Sequence, residues 1–172
     1  MEYTDRAFWR NYWLQKPDLF NKPIDRRSLF LPLFKDLVSN NRFTSAVEIG
    51  GFPGTFSVLM HEEYGIPTDL VDYFVDADLL KQFLKANDFE TKNLNAYEID
   101  VFADFVPPRR YDLVFSIGLI EHFDDTKRIV HGHVQFMNDN GVLLIILPNF
   151  RGINGWFQRL FDRENYNKHY ID

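Results

Sequence analysis

The stretch "AVEIGGFPGTFSVLM", Ala46 to Met60, decides the fold. A mostly apolar run from Ala46 to Ile49 meets Gly50 and Gly51, a Phe-Pro pair follows, and after Gly54 the pattern turns helical. The segment therefore reads as strand, tight turn and helix, the arrangement in which nucleotide-type cofactors are held. Where such loops carry a further glycine, this one has Phe52 and Pro53. A proline fixes its own φ and drives the preceding residue toward extended geometry. The unusual angles of the turn are thus expected at Gly50, Gly51 or Gly54.

Outward from this loop, strand and helix signals alternate. Strands are expected at 45–49, 68–72, 95–99, 111–117 and 142–147, and helices at 54–64, 77–87 and 125–137, each bounded by Gly, Pro, Asn or Asp. Such alternation predicts a parallel sheet covered on both faces, with right-handed crossovers: a doubly wound, mostly parallel, Rossmann-like α/β fold. Upstream, the aromatic residues Phe8, Trp9, Tyr12 and Trp13, and then Phe30, Leu33, Phe34 and Leu37, recur at helical spacing on either side of Pro17 and Pro23. One domain is expected, with an N-terminal helical cap over 1–42, a cofactor-binding core over 43–150 and a C-terminal helix and tail over 151–172.

In an open parallel sheet, ligands bind beyond the carboxyl ends of the strands. Asp72, followed by Tyr73, ends the second strand 22 positions past Gly50. A carboxylate there suits a ribose diol, because it can accept two hydrogen bonds. Asp100 follows the third strand, and "SIGLIEHF", Ser116 to Phe123, closes the fourth.

Taken in order, "VEIGGFPGTFS", "LVDYF", "YEIDVFAD", "YDLVFSIGLIEHFDD" and "GVLLIILPN" resemble the successive motifs of class I S-adenosylmethionine-dependent methyltransferases. The resemblance covers about 43–149. It implies S-adenosyl-L-methionine as cofactor, with Glu48, Gly50, Gly51, Phe52 and Gly54 in the loop along its methionine part. It places Asp72 and Tyr73 at the ribose, Asp100 at the adenine amino group and Val101 as a backbone contact to the ring. Ser116, Ile117, Gly118 and Leu119 would line the methionine end. Two departures stand out: Phe52 occupies the family's middle glycine, and the two further strands usual in the family have no pattern after Phe150. The C-terminal part of the sheet is therefore expected to be missing or shortened.

Methyl transfer from a sulfonium needs alignment more than acid–base chemistry. If the acceptor must lose a proton, Glu121 and His122 are the candidate bases. His131 and His133 are two apart on an expected helix and point to different faces, so no metal site is expected. A dinucleotide-dependent oxidoreductase would need Gly-x-Gly-x-x-Gly, and from Gly50 the sequence reads Gly-Gly-Phe-Pro-Gly-Thr. A non-catalytic binding or scaffolding protein of the same fold is the alternative from another class.

The chain has no cysteine, which excludes disulfides, thiolate metal sites and the cysteine nucleophile of cytosine C5 methylation. A net charge of -6 argues against wrapping a nucleic acid. The longest apolar run, Val142 to Leu147, is far short of the roughly 18 residues that cross a bilayer. The expectation is a cytoplasmic protein acting on a small-molecule acceptor, without a nucleic-acid or membrane partner; nothing in the sequence indicates its oligomeric state.

Overall fold

The computed structural model describes residues 5–149. Strands β1 (Ala46–Ile49), β2 (Thr68–Asp72), β3 (Ala96–Glu98), β4 (Tyr111–Ile117) and β5 (Met137–Ile146) form one sheet. All are parallel, in the order β3-β2-β1-β4-β5. Strand order reverses between β1 and β4, which opens a crevice at their carboxyl ends. This is the Rossmann-like architecture expected from the sequence.

Helices α1 (Arg6–Leu14), α2 (Leu31–Asn40), α3 (Thr55–Tyr64), α4 (Ala77–Ala86) and α5 (Thr126–Gln135) complete the described fold. Side chains alternate across each strand, so the sheet feeds two cores. On one face Leu70, Leu113 and Phe115 pack against Phe34 of α2, Val58 and Met60 of α3, and Leu80 and Leu84 of α4. On the other, Val47, Ile49, Val71 and Val114 meet Ile129 of α5 and Phe136. The starts of α1, α4 and α5 follow from short acidic caps. Asp5 accepts from the Phe8 N–H, Asp76 from those of Asp78 and Leu79, and Asp125 from that of Arg128.

α3 begins differently. Its cap position is Gly54, at φ +95° and without a side chain, and the cap comes from the sheet instead: Glu48 on β1 accepts from the Ser57 N–H and hydroxyl, both at 2.7 Å. Gly51 makes room for this carboxyl, since a Cβ there would lie 2.2 Å from it. Positive φ falls on Gly50 and Gly54, as Pro53 requires, and not on Gly51; the Phe52-Pro53 peptide is cis.

β5 differs from its expected bounds. It begins at Met137 rather than Val142, because Tyr111 pairs with Met137 and Leu113 with Val142, so the ladder is broken by a bulge across 138–141. The polar run "NDNG" carries no alternation, and the sequence pattern could not show a strand there. β5 is an edge strand among the described residues. The expected helix and tail over 151–172, and the expected shortening of the sheet, lie outside them.

Candidate active site

The carboxyl ends of β1, β2, β3 and β4 surround a cavity of about 250 Å³, near the small end of small-molecule sites. One end is walled by Asp72 and Tyr73 after β2 and by Ile99, Asp100, Val101 and Phe102 after β3. At the other end stand Gly50 after β1 and Gly118, Leu119 and His122 after β4. Phe123 and Asp124 close the side, while Trp9 and Trp13 of α1 form the roof.

Asp72 is fixed by backbone donors, among them the Phe52 N–H to Oδ2 and the Phe74 N–H to Oδ1, both at 3.0 Å. Acceptor capacity remains on the carboxylate beyond its backbone bonds. Burial pushes this carboxyl up to about 6, against the bonds that stabilise its charge. Asp100 caps its own turn, accepting from the Phe102 N–H at 2.9 Å. Behind it, Gly132 lets α5 come so close that a Cβ would sit 2.3 Å from the Val101 carbonyl oxygen, which pins the backbone after β3. Gly50, at φ +71°, likewise lets Leu119 lie against the loop, where a Cβ would meet its side chain at 2.5 Å.

The cavity thus gathers Gly50, Asp72, Tyr73, Asp100, Val101, Gly118, Leu119 and His122 from the residues singled out in the sequence. It does not gather Glu48, Gly51, Phe52, Gly54, Ser116, Ile117 or Glu121. Glu48 and Gly51 build the loop from beneath, and burial pushes the Glu48 carboxyl up to about 7. Ser116 is fully buried, its hydroxyl 2.9 Å from His133 Nε2 on α5. Ile117 packs with the Phe34 core. Both side chains are therefore within the sheet's packing and do not border the cavity.

Phe52, at the family's middle glycine position, does not fill the cavity. Its ring is buried and turned away from the cavity, in a cluster with Trp13, Phe20 and Phe74 at centroid distances of 5.5–5.9 Å. The loop therefore presents backbone to the cavity at Gly50 and a side chain to α1.

Glu121 lies beside Gly118, whose Cβ would be 3.3 Å from its Oε1. Its Oε2 is buried without a hydrogen-bond partner among the described residues, and burial pushes the carboxyl up to about 7. The His122 ring meets Trp9 edge to face at 6.2 Å. Among the described residues no group of three or more His, Asp or Glu could hold a metal ion, and no helix is long and apolar enough to cross a membrane.

Sequence reasoning missed Ile49, Ile99, Phe102, Phe123, Asp124 and Gly132. The first four are apolar and carry no chemical signature. Gly132 did have a signal, a lone glycine inside an expected helix, which marks close approach.

The fold and cavity can be set against known proteins. A family model described as a methyltransferase domain matches residues 15–170. The chain belongs to this family. The methyltransferase domain is similar in structure to an O-methyltransferase family protein from Burkholderia thailandensis, at a TM-score of 0.67 and 16% identity, covering 100% of this chain and 54% of that one. A coclaurine N-methyltransferase bound to N-methylheliamine and S-adenosylhomocysteine gives 0.58 and 13%, covering 76% and 43%. An O-methyltransferase from a polyketide synthase of Brevibacillus brevis, in complex with S-adenosyl-L-homocysteine, gives 0.51 and 18%, covering 73% and 50%. The methyltransferase domain thus spans about half the length of these structures. No curated protein sequence matches it.

Proposed function

We propose that the chain binds S-adenosyl-L-methionine in the cavity at the β1/β4 reversal and transfers its methyl group directly and in line to a small-molecule acceptor. One observation carries this reading: Asp72 and Asp100, after adjacent strands, both wall the end of one cavity whose other end is bounded by Gly50 and Gly118. The donor set fits the group. Asp72 has acceptor capacity for the ribose hydroxyls beyond its backbone bonds. Asp100 would accept from an adenine amino group, and the pinned backbone of Val101 would meet the ring edge. Tyr73, Ile99 and Phe102 give that end apolar and aromatic walls.

Bound there, the cofactor supplies a methyl group already activated by positive sulfur. The chain's own work is to align the acceptor and exclude water, and proximity of this kind supplies a large part of a bimolecular barrier. Glu48 and Gly51 act through the loop, by holding its backbone under Gly50. Where the acceptor must lose a proton, His122 is the group that borders the cavity, with Glu121 behind it.

Calorimetric titration with S-adenosylhomocysteine tests the site, and a labelled-methyl assay over small hydroxyl and amine acceptors tests transfer. Saturable binding that Asp72→Ala loses is the expected result. Undiminished binding by that variant would remove the assignment.

A further inference from the structure

The two ends of the cavity differ in charge. The end formed after β2 and β3 holds the carboxylates of Asp72 and Asp100, whereas no Lys or Arg borders the cavity among the described residues. An S-adenosylmethionine whose adenosine lies against the two acids must place its amino-acid part, with an α-carboxylate, at the opposite end. That end is Gly50, Gly118, Leu119 and His122, roofed by Trp9 and Trp13. An anion there meets no cationic side chain of Lys or Arg.

What borders the cavity there is a pair of indoles, each with an N–H to donate. Trp9 and Trp13 both border the cavity, and neither indole N–H makes a hydrogen bond among the described residues, although an indole offers a donor and no acceptor. Three contacts hold α1 in this position, each to a different strand end. Arg6 pairs with Glu98 of β3 at 2.7 Å, the Trp9 ring meets His122 after β4, and the Trp13 ring meets Phe52 after β1. α1 has no fully buried residue of its own; Trp9 and Trp13 are partly buried, packed against the cluster of Phe20, Phe52 and Phe74 while also bordering the cavity. α1 also precedes the family match, which begins at residue 15.

We propose that Trp9 and Trp13 are cofactor-binding residues whose indole N–H groups receive the α-carboxylate of the cofactor's amino-acid end. The proposal rests on the reading of the cavity as an S-adenosylmethionine site. Two neutral donors at that end replace a cationic anchor. They also tie the roof to the ligand, so that α1 is held in place by the molecule it covers.

The test compares two probes that share an adenosine and a thioether: S-adenosylhomocysteine, which has the amino-acid end, and 5′-methylthioadenosine, which lacks it. Trp9→Phe and Trp13→Phe keep a ring for packing on His122 and Phe52 and remove only the donor. By calorimetry each variant is expected to bind S-adenosylhomocysteine about tenfold more weakly, the scale of one hydrogen bond to a charged group. 5′-Methylthioadenosine affinity should stay unchanged, which also reports an intact fold and adenosine site. Parallel weakening of both probes, or no change in the double variant, overturns the proposal. If the unaltered chain binds neither probe, the cofactor reading itself fails, and this inference with it.

Discussion

Asp69 and Asp72 stand three positions apart on β2, and their surroundings make opposite use of the same carboxyl group. Asp69, at the start of the strand, is closed in: Oδ1 accepts from Asn95 Nδ2 at 3.0 Å, and Oδ2 accepts from the Tyr111 hydroxyl at 2.8 Å and faces Arg109 Nε at 3.1 Å. The Arg109 guanidinium also lies over the Tyr111 ring. Asp72, at the carboxyl end, has backbone donors alone, from Phe52, Phe74 and Tyr73, and a cavity beside it. Side-chain partners close the first; the second is held in position yet left able to accept more. A buried acid is thus structural or ligand-facing according to what remains of its lone pairs.

Exchanging the two losses breaks the comparison if it is wrong. Asp69→Ala orphans the buried Tyr111 hydroxyl and one side of an ion pair, so urea unfolding should show a loss of about 3–5 kcal/mol. S-Adenosylhomocysteine affinity of the protein that remains folded should be nearly unchanged. Asp72→Ala should do the reverse. Removing a desolvated charge offsets the lost backbone bonds to within about 1 kcal/mol, while losing the ribose acceptor weakens S-adenosylhomocysteine about a hundredfold. Equal unfolding midpoints for the two variants would show that the ends of β2 do not differ in this way.

Glu48 sharpens the contrast, because it is buried like Asp69 and yet has no cation. Burial raises its carboxyl from an ordinary 4.5 to about 7, so between those values the folded chain keeps a proton that the unfolded chain has released. Stability is then fully present below the lower value and falls as pH rises through the upper one, by about 3 kcal/mol for this group. Asp72, raised from 3.8 to about 6, adds a loss of the same sign. Glu48→Gln keeps an oxygen to accept from Ser57 and removes the titration. Its unfolding free energy should therefore fall less than that of the unaltered chain between about pH 5 and about pH 8. Equal slopes would mean that Glu48 is ionised in the fold.

Much of this was legible in the sequence, for a physical reason. Strands β2 and β4 have their expected bounds because near-continuous burial between bounding turns leaves a strong pattern. Asp72, Asp100 and Gly50 could be placed because topology brings strand ends together whatever packs around them. What was not legible depends on direction. Phe52 in a glycine position reads as an obstruction until its ring is seen to point into Trp13, Phe20 and Phe74. The aromatic spacing of α1 fits packing and roofing equally well, because helical period says which residues share a face and not what that face meets.

Ser116 is the residue on which sequence and structure diverge most usefully. The family resemblance implies a place for it at the methionine end; in the fold its hydroxyl lies 2.9 Å from His133 Nε2, while His133 Nδ1 is 2.7 Å from the Ile129 carbonyl oxygen. A carbonyl can only accept, so Nδ1 carries the proton, and a neutral ring then accepts from Ser116 at Nε2. Burial holds His133 in that state by lowering its pKa below the ordinary 6.5. This contribution to stability is present at neutral pH and is lost as pH falls below that ordinary value, where only the unfolded ring is protonated. Ser116→Ala leaves Nε2 buried without its donor and should cost about 1–2 kcal/mol at neutral pH in urea unfolding. S-Adenosylhomocysteine affinity should change by less than about twofold, because the serine does not border the cavity. A tenfold loss of affinity with little loss of stability would return Ser116 to the ligand and show that β4 ends in the site rather than beneath it.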